Sequence, residues 1–298
     1  MGPKFDFPQK ILLAIDGSLF AAAAVNLLTH IAWPVGTVTR VLAVASERPP
    51  FPDLSPLSRR AADKTIIGIH PWDRTTLQTL TAQVVKRLRA AHLNVEAEVF
   101  AGQPGPMILE RAEKLATNLI VVGAKGLNAS DAVRLGSTAE RLAYESGYSV
   151  LIARPTEHIR PLSIVLVIDD LVAARQACEF LCTLSLPDWA QVTVVSVIQD
   201  SVTMPAYRQM SAAGWSTPFE AEARAAEVVD RLHQSGAQGR IAVRVGRPAD
   251  EILAVARERD AALIVLGAGE QDRLEPHRLS SVVRKVIKDS PSSVLVVR

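Results

Sequence analysis

Short apolar runs rich in β-branched residues alternate along this chain with longer stretches whose apolar positions recur every three or four residues. The first pattern predicts buried strands and the second amphipathic helices. In the first half, strands are expected at 10–15, 38–45, 94–101, 118–122 and 148–153, and helices at 18–33, 73–91, 104–116 and 137–146. Ser18 is placed to cap the first helix, and Pro104 sits near the start of the third. In the second half, strands fall at 163–168, 191–198, 240–245, 262–266 and 293–298. Helices fall at 171–185, 217–235, 248–258 and 281–288. Strict alternation with near-continuous apolar strands predicts, in each half, a five-stranded parallel sheet covered by helices on both faces.

The two halves are also alike in sequence. Residues 101–126 align with 245–270, and Ser149–Arg154 with Ser293–Arg298, both 144 positions apart. The opening runs Lys10–Asp16 and Ser163–Asp169 align at 153, so the first half carries nine more residues in its middle. A repeat of this length is a domain and not a solenoid unit. The expected domains are 8–154 and 161–298, joined by a short segment punctuated by Pro155 and Pro161.

Composition narrows the function. A chain of 298 residues with 48% hydrophobic and 21% charged residues reads as globular. A net charge of +2 and 5% aromatics give no electrostatic or stacking argument for nucleic acid. No apolar run has spanning length, and the start lacks a secretory layout, so a cytoplasmic protein is expected, with no membrane partner. Cys178 and Cys182, four apart on an expected helix, read as two small buried side chains.

The sharpest chemical signal follows the fourth strand of the first half. Gly123-Ala124-Lys125-Gly126 is followed by nine residues and then Gly136-Ser137-Thr138, where a helix opens. Glycines at a strand's carboxyl end let backbone amides approach a phosphate, and a helix N-terminus adds free amides and a positive dipole end. Gly123 and Gly126 would give the close approach and tight turn, Gly136 and Ser137 the opposite wall, and Lys125 a cation. Taken alone, the same residues also suit a simple turn.

The spacing G-x-x-G, nine residues, G-[ST] resembles the ATP-binding signature of the universal stress protein family. Other marks of that family accompany it: a first strand ending Ile15-Asp16-Gly17-Ser18, Gly102-Gln103-Pro104 before the third helix, and a closing strand at 149–152. The resemblance covers nearly the whole chain. It implies two tandem Rossmann-like domains of the adenine nucleotide alpha hydrolase-like kind. It implies that Ala14, Ile15 and Asp16 flank the adenosine and that Val44 packs on adenine. Val122 and Gly123 would border base and ribose, and Lys125, Gly126, Gly136, Ser137 and Thr138 would hold the phosphates of ATP, with Mg²⁺. It further implies a regulatory stress-response role and dimers, either a homodimer or an intramolecular pseudo-dimer through the strands at 148–153 and 293–298. With Ser18 serving as cap, Asp16 is expected to be free to face the ligand.

The second half departs from the signature. Gly267 is kept, but Glu270 stands where Gly126 does and Ser280 where Gly136 does. An acid in a phosphate cradle repels the ligand and loses the close approach, so weak or absent ATP binding is expected there. Arg273, His277 and Arg278 leave another anion open. No catalytic set is visible: the six histidines are scattered, and neither H-E-x-x-H nor G-x-S-x-G occurs. The alternatives to a regulatory ATP-binding role are a partner-binding scaffold with a vestigial nucleotide site and, behind it, an adenylating or slowly ATP-hydrolysing enzyme. The long Pro-rich and Met/Trp-bearing segments 47–72 and 199–216 suit lids or partner surfaces, or caps on their own cores.

Overall fold

The most apolar runs become the central strands. β1 (Lys10–Ile15) and β4 (Leu119–Gly123) are buried along nearly their whole length, as strands covered on both faces must be. A computed structural model of the chain describes residues 10–45, 74–127, 135–156, 162–168, 171–199, 218–268 and 279–298, the backbone alone at 171–174. It divides into two units, Met1–Thr156 and Glu157–Arg298.

In the first unit, β1 is followed by α1 (Leu19–His30), β2 (Val38–Ala45), α2 (Arg74–Ala90) and β3 (Asn94–Ala101). Then come α3 (Pro104–Lys114), β4, α4 (Ser137–Glu145) and β5 (Ser149–Ala153). All pairings are parallel, in the order β3-β2-β1-β4-β5. The chain therefore builds outward from β1 on one side and then crosses to β4 on the other. The carboxyl ends of β1 and β4 diverge at this switch point, where an open α/β sheet forms its crevice. Helix α1 packs against α2, and α3 against α4.

The second unit repeats the order with β6 (Ser163–Val167), α5 (Leu171–Thr183), β7 (Gln191–Gln199), α6 (Pro218–Gln234) and β8 (Gln238–Gly246). It continues with α7 (Pro248–Glu258), β9 (Leu263–Gly267), α8 (Ser281–Asp289) and β10 (Ser293–Val297). Its sheet order is β8-β7-β6-β9-β10, again parallel.

The differences from the expected elements lie at their ends. The first helix stops at His30 and not at 33, because Pro34 disfavours helical geometry in the residue before it. The indole N–H of Trp33 then donates to the Leu28 carbonyl at 3.0 Å, satisfying one of the open terminal groups. The third helix ends at Lys114, with Ala116 in the left-handed region at φ 48°. Gly123 belongs to β4 and not to the loop after it. The long segments 47–72 and 199–216 lie almost entirely outside the described residues, as do Asp169, Glu270, Arg273, His277 and Arg278. Among the described residues, no helix is long and apolar enough to cross a membrane.

Candidate functional site

The residues expected at the site come together at the β1/β4 switch point. Leu13 pairs with Val121, and the register carried two residues further brings Ile15 level with Gly123. The turn Asp16-Gly17-Ser18 after β1 thus stands beside the loop that begins at Ala124. On the other side of β1, Ile15 is in register with Ala43, so Val44 lies one residue beyond it at the end of β2. Ala14, Ile15 and Val122 are buried with 5–7% of their surface open, whereas Val44 is half-buried.

Ser18 ties the two loops together. Its hydroxyl accepts from the Ala21 amide at 3.1 Å, capping α1, and donates to the Lys125 carbonyl at 3.2 Å. The donor and acceptor of the second bond are 107 residues apart in sequence. No local pattern announces that bond; the shared position of the two loops beyond adjacent parallel strands is the only signal for it.

Asp16 is not free, contrary to the sequence expectation. Its Oδ1 accepts from the Ser18 amide at 2.9 Å. Ser18 therefore both caps the helix and holds the aspartate, since hydroxyl and amide act independently. Burial pushes the Asp16 carboxyl above its ordinary value of 3.8, opposed by hydrogen bonding from Ser18 and from the Leu127 amide. Its other oxygen faces the glycine loop. A Cβ built on Gly126 would lie 2.9 Å from Asp16 Oδ2.

The three glycines do different things. Gly123 makes room for a neighbouring helix. A Cβ there would sit 2.8 Å from the Ala21 nitrogen and from Phe20 Cβ, so glycine is what lets α1 cross the end of β4. Gly126, exposed, admits the Asp16 carboxylate. Gly136 closes the loop back on itself: its amide donates to the Ala124 carbonyl at 2.8 Å, and a Cβ would meet that oxygen and Lys125 Cα at 3.3 Å. Lys125 is buried at 7% exposure, with its ammonium over the Phe20 ring, 5.7 Å from the centroid. Aromatic contact keeps a buried cation at the crevice at a lower desolvation cost.

Helix α4 opens at this loop with Gly136 as N-cap and no side-chain cap. Ser137 is exposed and Thr138 half-buried. The first-turn amides of a helix have no partner within the helix. At α4 nothing from the cap residue occupies them. In the second unit the matching helix α8 has Ser280 as N-cap, and the Ser280 hydroxyl accepts from the Val283 amide at 3.2 Å. The added side chain also loosens the loop closure. The Ser280 amide lies 3.5 Å from the Ala268 carbonyl, against 2.8 Å for the Gly136 pair. The two helix starts therefore differ at one first-turn amide: the Ser280 hydroxyl bonds that of Val283 in α8, whereas among the described residues the N-cap of α4 supplies no such bond.

Comparison with known proteins gives a consistent assignment. The model described as the universal stress protein family matches residues 8–154 and again 162–298. Universal stress protein YxiE of Bacillus subtilis is 28% identical over 157 residues, 49% of this chain and 99% of that protein. A universal stress protein of Methanothermobacter thermautotrophicus is 42% identical over 59 residues, 20% of this chain and 40% of that protein. The crystal structure of a universal stress protein from Archaeoglobus fulgidus superposes with a TM-score of 0.63 at 19% identity, covering 98% of this chain and 99% of that one.

Proposed function

Since the chain belongs to the universal stress protein family, matched once in each half, we propose that it is a regulatory stress protein that binds ATP in its first unit only. The observation that carries the reading is the contrast between the two helix starts. Gly136 offers the first turn of α4 no side-chain cap, whereas Ser280 accepts from one first-turn amide of α8. A phosphate at α4 would gain several charge-assisted hydrogen bonds and the helix dipole without displacing a side chain.

The residues present suit a magnesium-bound nucleotide. Gly126, Gly136, Ser137 and Thr138 would receive the phosphates. Ala14, Ile15, Val44 and Val122 would border adenosine with apolar surface. Mg²⁺ would offset the charge of a triphosphate beside Asp16. The second unit then acts as a structural or regulatory partner.

The test is the nucleotide content of the purified chain and its affinity for ATP by calorimetry, for the wild type and for Gly126→Glu. One ATP per chain, lost in the variant, supports the reading. No ATP in the wild type, with no binding on titration, rejects it in favour of a scaffold with a vestigial site.

A further inference from the structure

The second unit holds a feature with no counterpart in the first. Cys178 and Cys182 are the only cysteines of the chain, and both lie on α5. Their sulfurs are 3.9 Å apart. Cys178 is buried and Cys182 half-exposed, so the expectation of two equally buried small side chains holds for Cys178 alone. At the repeat offset of 153, α1 carries Val25 and Thr29 at these positions. Val25 is buried, and the Thr29 hydroxyl donates to the Asn26 carbonyl. The fold thus packs this helix face without sulfur, and the thiol pair is an addition peculiar to the second unit.

The surroundings divide the labour between the two thiols. Hydrogen bonding from the Cys178 thiol holds the Cys182 thiol down, to about 7, against the opposing effect of its burial. The Ser235 hydroxyl and the positive charge of Arg231 add to this. The Arg231 contribution comes from α6, packed against α5, while Glu179 on α5 itself opposes it. The C-terminal end of the α5 dipole also opposes it. Cys178 moves the other way, its proton held by the bond to Cys182 and by burial. One thiol is therefore half-exposed and held low by its neighbours, although it also donates to the Arg231 carbonyl at 3.9 Å, and the other is buried and within reach of it. This is the arrangement of an attacking and a resolving cysteine.

We propose that Cys178 and Cys182 form a reversible, peroxide-responsive dithiol switch. The Cys182 thiolate attacks a peroxide oxygen, the O–O bond breaks, and hydroxide leaves and is protonated to water, giving Cys182 sulfenic acid. The Cys178 sulfur then attacks the Cys182 sulfur. The S–S bond forms, the S–O bond breaks, and the departing hydroxide takes the Cys178 proton as a second water. In sum, two thiols and hydrogen peroxide give one disulfide and two waters. Residues four apart on a helix have Cα atoms about 6 Å apart, inside the range a disulfide spans, but Cβ atoms about 5–6 Å apart, wider than the roughly 3.5–4.5 Å a disulfide takes, so closing the bridge requires the last turn of α5 to unwind. Cys182 lies one residue from the helix end at Thr183, where the last turn has least to lose by adjusting. A bridge formed under such constraint is readily reduced, as a switch requires.

The experiment treats the full chain with hydrogen peroxide and follows thiol titre and intact mass, with glutathione as reference thiol. The wild type should lose both thiols and two hydrogens of mass, run as a monomer without reductant, and recover with dithiothreitol. The variants take the residues of the first unit. Cys178→Val should accumulate a sulfenic acid at Cys182 that dimedone traps. Cys182→Thr should leave Cys178 oxidising about tenfold more slowly or not at all. The idea is overturned if the wild type keeps both thiols while glutathione is consumed. Over-oxidation of Cys182 with Cys178 still reduced, or bridges only between chains, overturns it as well. The wild-type measurement decides even if a variant fails to fold.

Discussion

Gly126 and Asp16 are matched across the crevice: a single methyl group on Gly126 would stand 2.9 Å from Asp16 Oδ2. A glycine of the loop after β4 and an acid from the first strand's end thus share one space. The loop takes its shape around a carboxylate that is itself held by the Ser18 amide.

Gly126→Ala should therefore be felt at the ligand before it is felt in the fold. The group that must give way is the end of one side chain, so the melting temperature should move by only a few degrees. Affinity for ATP should fall about tenfold, equivalent to about 1.4 kcal/mol, as the displaced carboxylate intrudes on the site. Calorimetric titration together with thermal melting separates the two effects.

Asp16 should make stability depend on pH with an unusual sign. Its folded carboxyl titrates above the ordinary value, because burial disfavours the charge. Between the unfolded and the folded pKa the native state holds more protons than the unfolded chain, so stability falls as pH rises through that window. Asp16→Asn removes the titration. The melting temperature of the variant, relative to wild type, should be higher at pH 7 than at pH 4. An equal difference at both pH values would refute the assignment.

The two helix starts should respond oppositely to exchange of their caps. Ser280→Ala removes the bond to the Val283 amide and should cost the second unit about 1 kcal/mol in urea unfolding, with ATP binding unchanged. Gly136→Ser supplies a hydroxyl to the first turn of α4 and crowds the Ala124 carbonyl and Lys125. It should weaken ATP binding about tenfold even where stability is preserved.

Ser18→Ala should combine both kinds of loss. It deletes the cap of α1 and the bond to the Lys125 carbonyl, for about 1–2 kcal/mol together. With the bridge gone, amide exchange at 124–127 should quicken relative to that at the β1 amides, measured by hydrogen exchange. Equal protection of the loop in variant and wild type would show that Ser18 does not hold it.

Sequence alone determined the alternating elements, the duplication and the parallel sheets, and it singled out the loop after the fourth strand as the candidate site. Each of these follows from periodicity or from local turn chemistry. The cap at Ser18 was legible because a serine before an apolar-periodic run has one efficient use, and the second loop's departure from the motif because its substitutions stand in aligned positions. Tertiary structure decided what each glycine is for. Gly123, Gly126 and Gly136 look alike in a motif, yet the first makes room for α1, the second for Asp16 and the third for the loop's own carbonyl. It also decided that Asp16 is engaged, that Lys125 lies over Phe20, and that Cys178 and Cys182 differ in exposure. Two of these contacts are local, Asp16 with the Ser18 amide and Gly136 with the Ala124 carbonyl, but the others share one physical reason. A side chain's surroundings depend on elements that meet it from more than a hundred positions away, or from the next helix, and such contacts leave no period in the sequence. Register and crossover bring those elements together, and only the folded sheet fixes both.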